Sequence, residues 1–163
     1  MARWILIILL SVSFIVTGRP EFLAGWPLVA RMAAYPLFHA NVFHLAGNCL
    51  AIYLVYTRRH SDNLRCLVIG WLISCLVYPL ASLPLVGVSN IIYATIGLRT
   101  PPISNRWWRD PSVLVFLGVT VAMLLVPKVA ALTHIVAFVT GAVIASISRT
   151  IKQVNHDSAR YLR

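Results

Sequence analysis

The sequence predicts an all-α membrane protein, a six-transmembrane-helix bundle whose short, half-buried fourth helix carries a serine. Three observations lead there. The 163 residues are 60% hydrophobic and 11% charged, with a mean hydropathy of +0.83. That is more apolar surface than a soluble domain of this size needs. Apolar runs alternate with connections rich in Pro, Arg and Trp from Trp4 to Ile147. Lysine and arginine are distributed unevenly among those connections, as membrane orientation requires.

The first span is Trp4 to Thr17, behind Arg3. It has the character of a signal-peptide core, but Thr17-Gly18-Arg19-Pro20 is a poor cleavage site, so a retained helix is expected. Gly18 to Phe38 is a long connection containing Pro20, Pro27 and Pro36. Its Phe22, Trp26 and Tyr35 suit a loop lying in the headgroup layer. The second span runs from about Asn41 to Tyr56, and Arg58 to Asn63 reads as a hydrophilic turn. The third is about Leu64 to Val77, after which Pro79 and Pro84 interrupt the chain.

The fourth helix, Ser89 to Leu98, is stopped by Arg99 and Pro101-Pro102. Ten residues give about 15 Å, half of the ~30 Å hydrocarbon core. Leu76 to Val88 carries no charge, so this helix is expected to begin inside the membrane. Arg99 to Asp110 is polar and holds Trp107-Trp108. Asp110-Pro111 starts the fifth span, which ends near Val126-Pro127-Lys128. The sixth runs from about Thr133 to Ile147. Residues 1–163 read as a single domain, with a core of about 4–148 and a frayed or interfacial polar tail, 149–163.

Six spans put both termini on one side. That side then holds eleven basic residues: Arg3, Arg58, Arg59, Arg65, Arg99, Arg106, Arg109, Arg149, Lys152, Arg160 and Arg163. The other holds Arg19, Arg31 and Lys128. The imbalance predicts cytoplasmic termini in a membrane of the bacterial inner (cytoplasmic) type. The net charge of +10 is therefore read as orientation, with no nucleic-acid partner. Cys49, Cys66 and Cys75 lie in or beside apolar runs without a C-x-x-C, as expected of buried thiols.

Several polar residues fall where the hydrocarbon should be. His44 and Asn48 are four apart and share a helix face, with His39 just before them. His134 opens the sixth span and Ser89 the fourth. The topology brings Ser89, His134, His44 and Asn48 to the outer leaflet. Intramembrane polar groups are costly and read as functional by default. A helix cap alone would explain Ser89, but not four such residues at one depth.

The chain has four acids, Glu21, Asp62, Asp110 and Asp157. The last three fall on the cytoplasmic side, so an aspartyl pair is excluded. There is no H-E-x-x-H, and the histidine spacing defines no metal site. No cofactor is implied. What remains is a serine with a histidine base and no acidic third member. An imidazole among apolar side chains stays neutral and can accept a proton. Asn48, His44 and the Ser89 backbone amide can offer N–H groups to an oxyanion.

These residues resemble the rhomboid intramembrane serine proteases, over about Arg31 to Ala145. The family's H-x-x-x-x-H-x-x-x-N pattern is found at His39, His44 and Asn48. Its G-x-S-G-x-x-Y-x-x-x-G pattern is found as Gly87, Ser89, Asn90, Tyr93 and Gly97. Its H-x-x-G-x-x-x-G pattern is found as His134, Ala137 and Gly141. The resemblance implies that Ser89 is the nucleophile and His134 the base. It implies that His44 and Asn48 complete the oxyanion site and that Tyr93 packs on the base. Arg31 matches the arginine of the family's first-loop Trp-Arg pair, with Ala30 in place of tryptophan.

Asn90 and Ala137 likewise stand where the family has glycine. Asparagine is among the few residues that tolerate φ > 0, so Asn90 is expected to keep some of glycine's backbone freedom. On this reading the partners are the lipid bilayer and single-span substrates, whose helix must partly unwind before an amide is exposed. Two other classes fit the same features. One is a proteolytically inactive rhomboid-like binder. The other is a small transporter, although the cytoplasmic half of these spans lacks the polar path that transport needs.

Overall fold

The computed structural model of the protein describes residues 2–17, 23–56, 60–81, 85–100, 111–124 and 131–161. Among these residues there are helices and no strand. The α-helices in chain order are α1 (Ala2–Thr17), α2 (Leu28–Ala34), α3 (Val42–Val55), α4 (His60–Val77), α5 (Ser89–Arg99), α6 (Pro111–Leu124) and α7 (Ala131–Tyr161). Two short 3₁₀ turns, Tyr35–Leu37 and Tyr78–Leu80, follow α2 and α4. Each is a Tyr-Pro-Leu tripeptide, and the proline sits where a turn-starting helix needs no N–H.

Helix α5 lies at the centre. Every residue from Ser89 to Gly97 is buried, so it has no lipid-facing stripe. Its packing against α7 is more extensive than that of any other pair of described elements, and α4 covers it next. The close α5–α7 crossing is set by two glycines. A β-carbon on Gly97 would run into the Phe138 carbonyl, and one on Gly141 into the Ala94 carbonyl. Lipid tails supply no hydrophobic drive between helices, so close backbone approach and dispersion hold this pair together. Ala137 and Ala145 lie buried on the same face of α7.

The outer surfaces have the opposite character. Ile15, Val29, Phe43 and Leu76 are large, apolar and exposed. Thr17, Thr100 and Thr120 turn their hydroxyls back onto the carbonyls of Ser13, Ile96 and Phe116. Each polar group is thereby satisfied within its own helix.

Among the described residues two helical stretches, Asp62–Leu80 and Ala131–Ser158, are long and apolar enough to cross a membrane. Leu28–Leu37 with Val42–Val55, bent by 75°, makes a third if counted as one span. Arg3–Thr17 is apolar but shorter.

Several element boundaries differ from the sequence reading. The loop before Phe38 contains α2, a two-turn helix over Leu28–Ala34. His60 to Asn63 is the first turn of α4 rather than a turn before it, with Asp62 placed favourably for the helix dipole. The polar stretch after Ile147 continues α7 without a break to Tyr161, because no glycine or proline interrupts it. Cys49, Cys66 and Cys75 are free thiols and half-buried. The expectations for residues 18–22, Arg58-Arg59, Pro84, residues 101–110 and Val126-Pro127-Lys128 lie outside the described residues.

Candidate active site

Helix α3 is started by Asn41, whose backbone is extended (φ −163°) and whose side chain accepts from the His44 N–H at 2.9 Å. This fixes His44 in the first turn and Asn48 one turn on, both facing the start of α5. His39, just before the cap, is buried with its ring 5.2 Å from that of His44.

The segment entering α5 turns at Gly87, which has φ +94°. Its N–H donates to the Tyr35 carbonyl at 3.1 Å. A β-carbon here would lie 2.6 Å from His44 Cε1, 2.8 Å from His44 Nε2 and 3.0 Å from Asn48 Nδ2. Glycine is therefore required twice over, by backbone angle and by the close approach of the two side chains. Asn48 is buried, and its Nδ2 has no hydrogen-bond partner among the described residues.

Val88 takes the N-cap position and offers no side-chain cap, so α5 opens with Ser89. The Ser89 hydroxyl is not spent on capping. It lies 2.7 Å from His134 Nε2, across 45 residues of chain. Both side chains are buried. His134 is the fourth residue of α7, so the α5–α7 crossing that Gly97 and Gly141 permit also sets this contact. One turn along α5 from Ser89, the Tyr93 ring stands 4.7 Å from the imidazole. Phe116 of α6 meets Tyr93 edge-on at 5.2 Å and stacks on Phe138 of α7 at 3.9 Å. This aromatic column fixes the plane of the imidazole.

Asn90 departs from the expectation. It is the second residue of α5 and has ordinary helical backbone, so the positive φ belongs to Gly87 instead. Position 90 therefore needs none of glycine's backbone freedom. The Asn90 side chain donates to the Tyr35 hydroxyl at 3.1 Å, and that hydroxyl pairs with the Ser74 hydroxyl. Tyr35, wholly buried, thus grips the α5 entry twice, at Gly87 through its carbonyl and at Asn90 through its hydroxyl. Tyr35, expected in a headgroup-layer loop, is instead a buried anchor of this turn, and sequence reasoning missed Ser74. The available signal was the repeated Tyr-Pro-Leu at 35 and 78, whose tyrosine rings meet at 5.0 Å.

Ala137 is fully buried in the apolar core, where its methyl fits without displacing α5. Arg31 lies on α2, which packs against α4 and the Tyr35–Leu37 turn, and among the described residues no hydrogen bond joins it to the Ser89–His134 pair.

The fold and site together describe an integral membrane protein with a serine and a histidine in contact at one end of its central helix. A family model, the Rhomboid domain, matches residues 27–150. The chain belongs to the rhomboid family. No curated protein and no solved structure matches it.

Proposed function

We propose that the protein is an intramembrane serine endopeptidase that hydrolyses a peptide bond in or near a substrate's transmembrane segment. The carrying observation is the 2.7 Å contact of Ser89 Oγ with His134 Nε2. The family generally consists of serine proteases but includes inactive members, and an intact serine–histidine pair favours the active class.

The chemistry follows from the positions of the groups. With Nε2 as acceptor, His134 takes the Ser89 hydroxyl proton as Oγ attacks the scissile carbonyl carbon. Negative charge develops on the carbonyl oxygen. The Asn48 amide, the His44 ring and the Ser89 backbone N–H are the donors for it. Among the described residues Asn48 Nδ2 has no partner to give up, so meeting the oxyanion costs no existing bond there. The first-turn amides of α5 are likewise without helical partners. Collapse breaks the C–N bond, and His134 returns the proton to the leaving amine. Water, deprotonated by His134, then releases the acyl group from Ser89.

Arg31, His39, Ala137 and Gly141 are assigned supporting roles, in the loop, the His44 contact and the α5–α7 crossing. Six spans, cytoplasmic termini and an active site opening to the outer side of a bacterial-type inner membrane complete the reading, supported by the arginine and lysine distribution. The test is cleavage of a single-span reporter by detergent-purified protein, with a fluorophosphonate probe as a second readout. Cutting and labelling that vanish in Ser89→Ala support the protease. Intact reporter with tight reporter binding would favour the inactive binder.

A further inference from the structure

The end of the bundle opposite Ser89 contains a cavity of about 550 Å³ between α4, α5 and α7. Four cations line it: Arg65 of α4, Arg99 at the end of α5, and Arg149 and Lys152 of α7. One acid, Asp62, faces them. The remaining wall is mostly apolar, with Ile69, Leu98 and Ile144, and includes Ser148 and Cys66.

The cations divide into two kinds. Arg99 donates to the Val55 carbonyl and the Asn63 side chain and lies over the Tyr56 ring. Arg149 donates to the Thr100 carbonyl at 3.1 Å. These bonds hold both guanidinium groups in place but do not neutralise them, since their partners carry no net charge. Arg65 and Lys152 are exposed, and neither makes a hydrogen bond or ion pair among the described residues. The ion pair found there, His156 with Asp157, involves none of the four. Like charges gathered around one cavity repel one another unless an anion joins them.

A planar guanidinium matches the oxygens of a phosphate, and a lysine adds a mobile point charge. An apolar wall beside the cations suits a ligand that is anionic at one end and hydrocarbon at the other. Basic pockets between transmembrane helices are places where anionic headgroups bind.

We infer that this cavity binds the phosphate ester of an anionic phospholipid, with Arg99 and Arg149 as its fixed floor and Arg65 and Lys152 closing over the headgroup. Nothing in this site depends on chemistry at Ser89. The test is native mass spectrometry of the full-length protein in detergent, titrated with phosphatidylglycerol, phosphatidylcholine or inorganic phosphate. Phosphatidylglycerol is expected to be retained in preference to phosphatidylcholine. Arg65→Gln with Lys152→Gln is expected to weaken that retention by roughly tenfold or more. Both residues are exposed, so the variant should fold. Arg3→Gln removes a charge that stands over Trp4 and Tyr53 instead, and should leave retention unchanged. Binding of inorganic phosphate without the lipid, lost in the same double variant, would keep the site and make its source soluble. Equal retention of the two lipids, or equal loss in Arg3→Gln, would overturn the proposal.

Discussion

At its first residue α5 carries a hydroxyl that bonds across the bundle to an imidazole. At its last it carries a guanidinium that bonds the carbonyl of a neighbouring helix end. A helix leaves N–H groups unused at its start and C=O groups unused at its end. The Ser89 end is therefore a place where negative charge can develop, with the Asn48 amide held close by. The Arg99 end is a place where positive charge is welcome. There Arg99 meets Val55 O, the last carbonyl of α3, and Arg149 meets Thr100 O beyond α5. One end keeps buried donors unspent, whereas the other satisfies its acceptors. On that contrast, changes to the Ser89–His134 pair and the unspent Asn48 donor should act on rate, and changes at the second end on stability.

The largest effect is expected at the hydroxyl itself. Ser89→Ala and His134→Ala should each abolish reporter cleavage, and the double variant should be no worse than either. Groups acting as a unit lose their effect together. A double variant worse than both singles by the product of their losses would separate the two roles.

Asn48→Ala should come next. Removal of one oxyanion donor costs about 10²–10³ in rate, roughly 3–4 kcal/mol. The loss should fall on kcat, since an unsatisfied donor contributes little until charge develops. A change confined to KM would make Asn48 a packing group and would weaken the contrast between the two ends.

At the other end, Arg99→Met removes charged donors from the Val55 carbonyl and the Asn63 side chain. Bonds of this kind are each worth about 1.5–3 kcal/mol, so thermal unfolding should shift markedly downward. The turnover of protein that remains folded should not change. A selective loss of kcat would show that the two ends are coupled along α5.

The smallest effect is expected at Asn90. Asn90→Gly deletes the amide together with its need for a partner, and it should leave cleavage within about tenfold, under ~1.4 kcal/mol of barrier. Tyr35→Phe strands the Asn90 amide and the Ser74 hydroxyl in a buried setting, so it should destabilise more than Asn90→Gly does. Combining it with Asn90→Gly should return part of that loss. Stability measured across the four proteins checks this, and strict additivity would dissolve the Tyr35–Asn90 link.

Much of the helical content could be read from the chain because it depends on near neighbours. Asn41 is a cap with its partner three residues away, and the structure starts α3 just after it. Pro79 and the stretch before Ser89 lie outside α4 and α5, where the breaker logic puts them. Polarity points to a turn at His60 to Asn63, and there it misleads. Those four residues form the first turn of α4, where Ser, Asp and Asn suit a helix start, and the residues after Ile147 continue α7 because no glycine or proline interrupts them. The asparagine that replaces a family glycine likewise marks no unusual backbone angle at position 90.

The sequence by itself determined which residues stand at helix ends and which share a face, because 3.6-residue periodicity and capping act over a few positions. It also determined that Ser89 and His134 stand in stretches that resemble the family's motifs. Tertiary structure decided what the Ser89 hydroxyl does. A cap and a bond to His134 use the same atom, and the choice depended on α7 passing close enough at Gly97 and Gly141 to bring an imidazole within 2.7 Å. It likewise decided that the positive φ lies at Gly87 and that Asn90 answers to Tyr35, 55 residues away. Such pairings are fixed by which helices touch and at what depth, and the local chain holds no record of either.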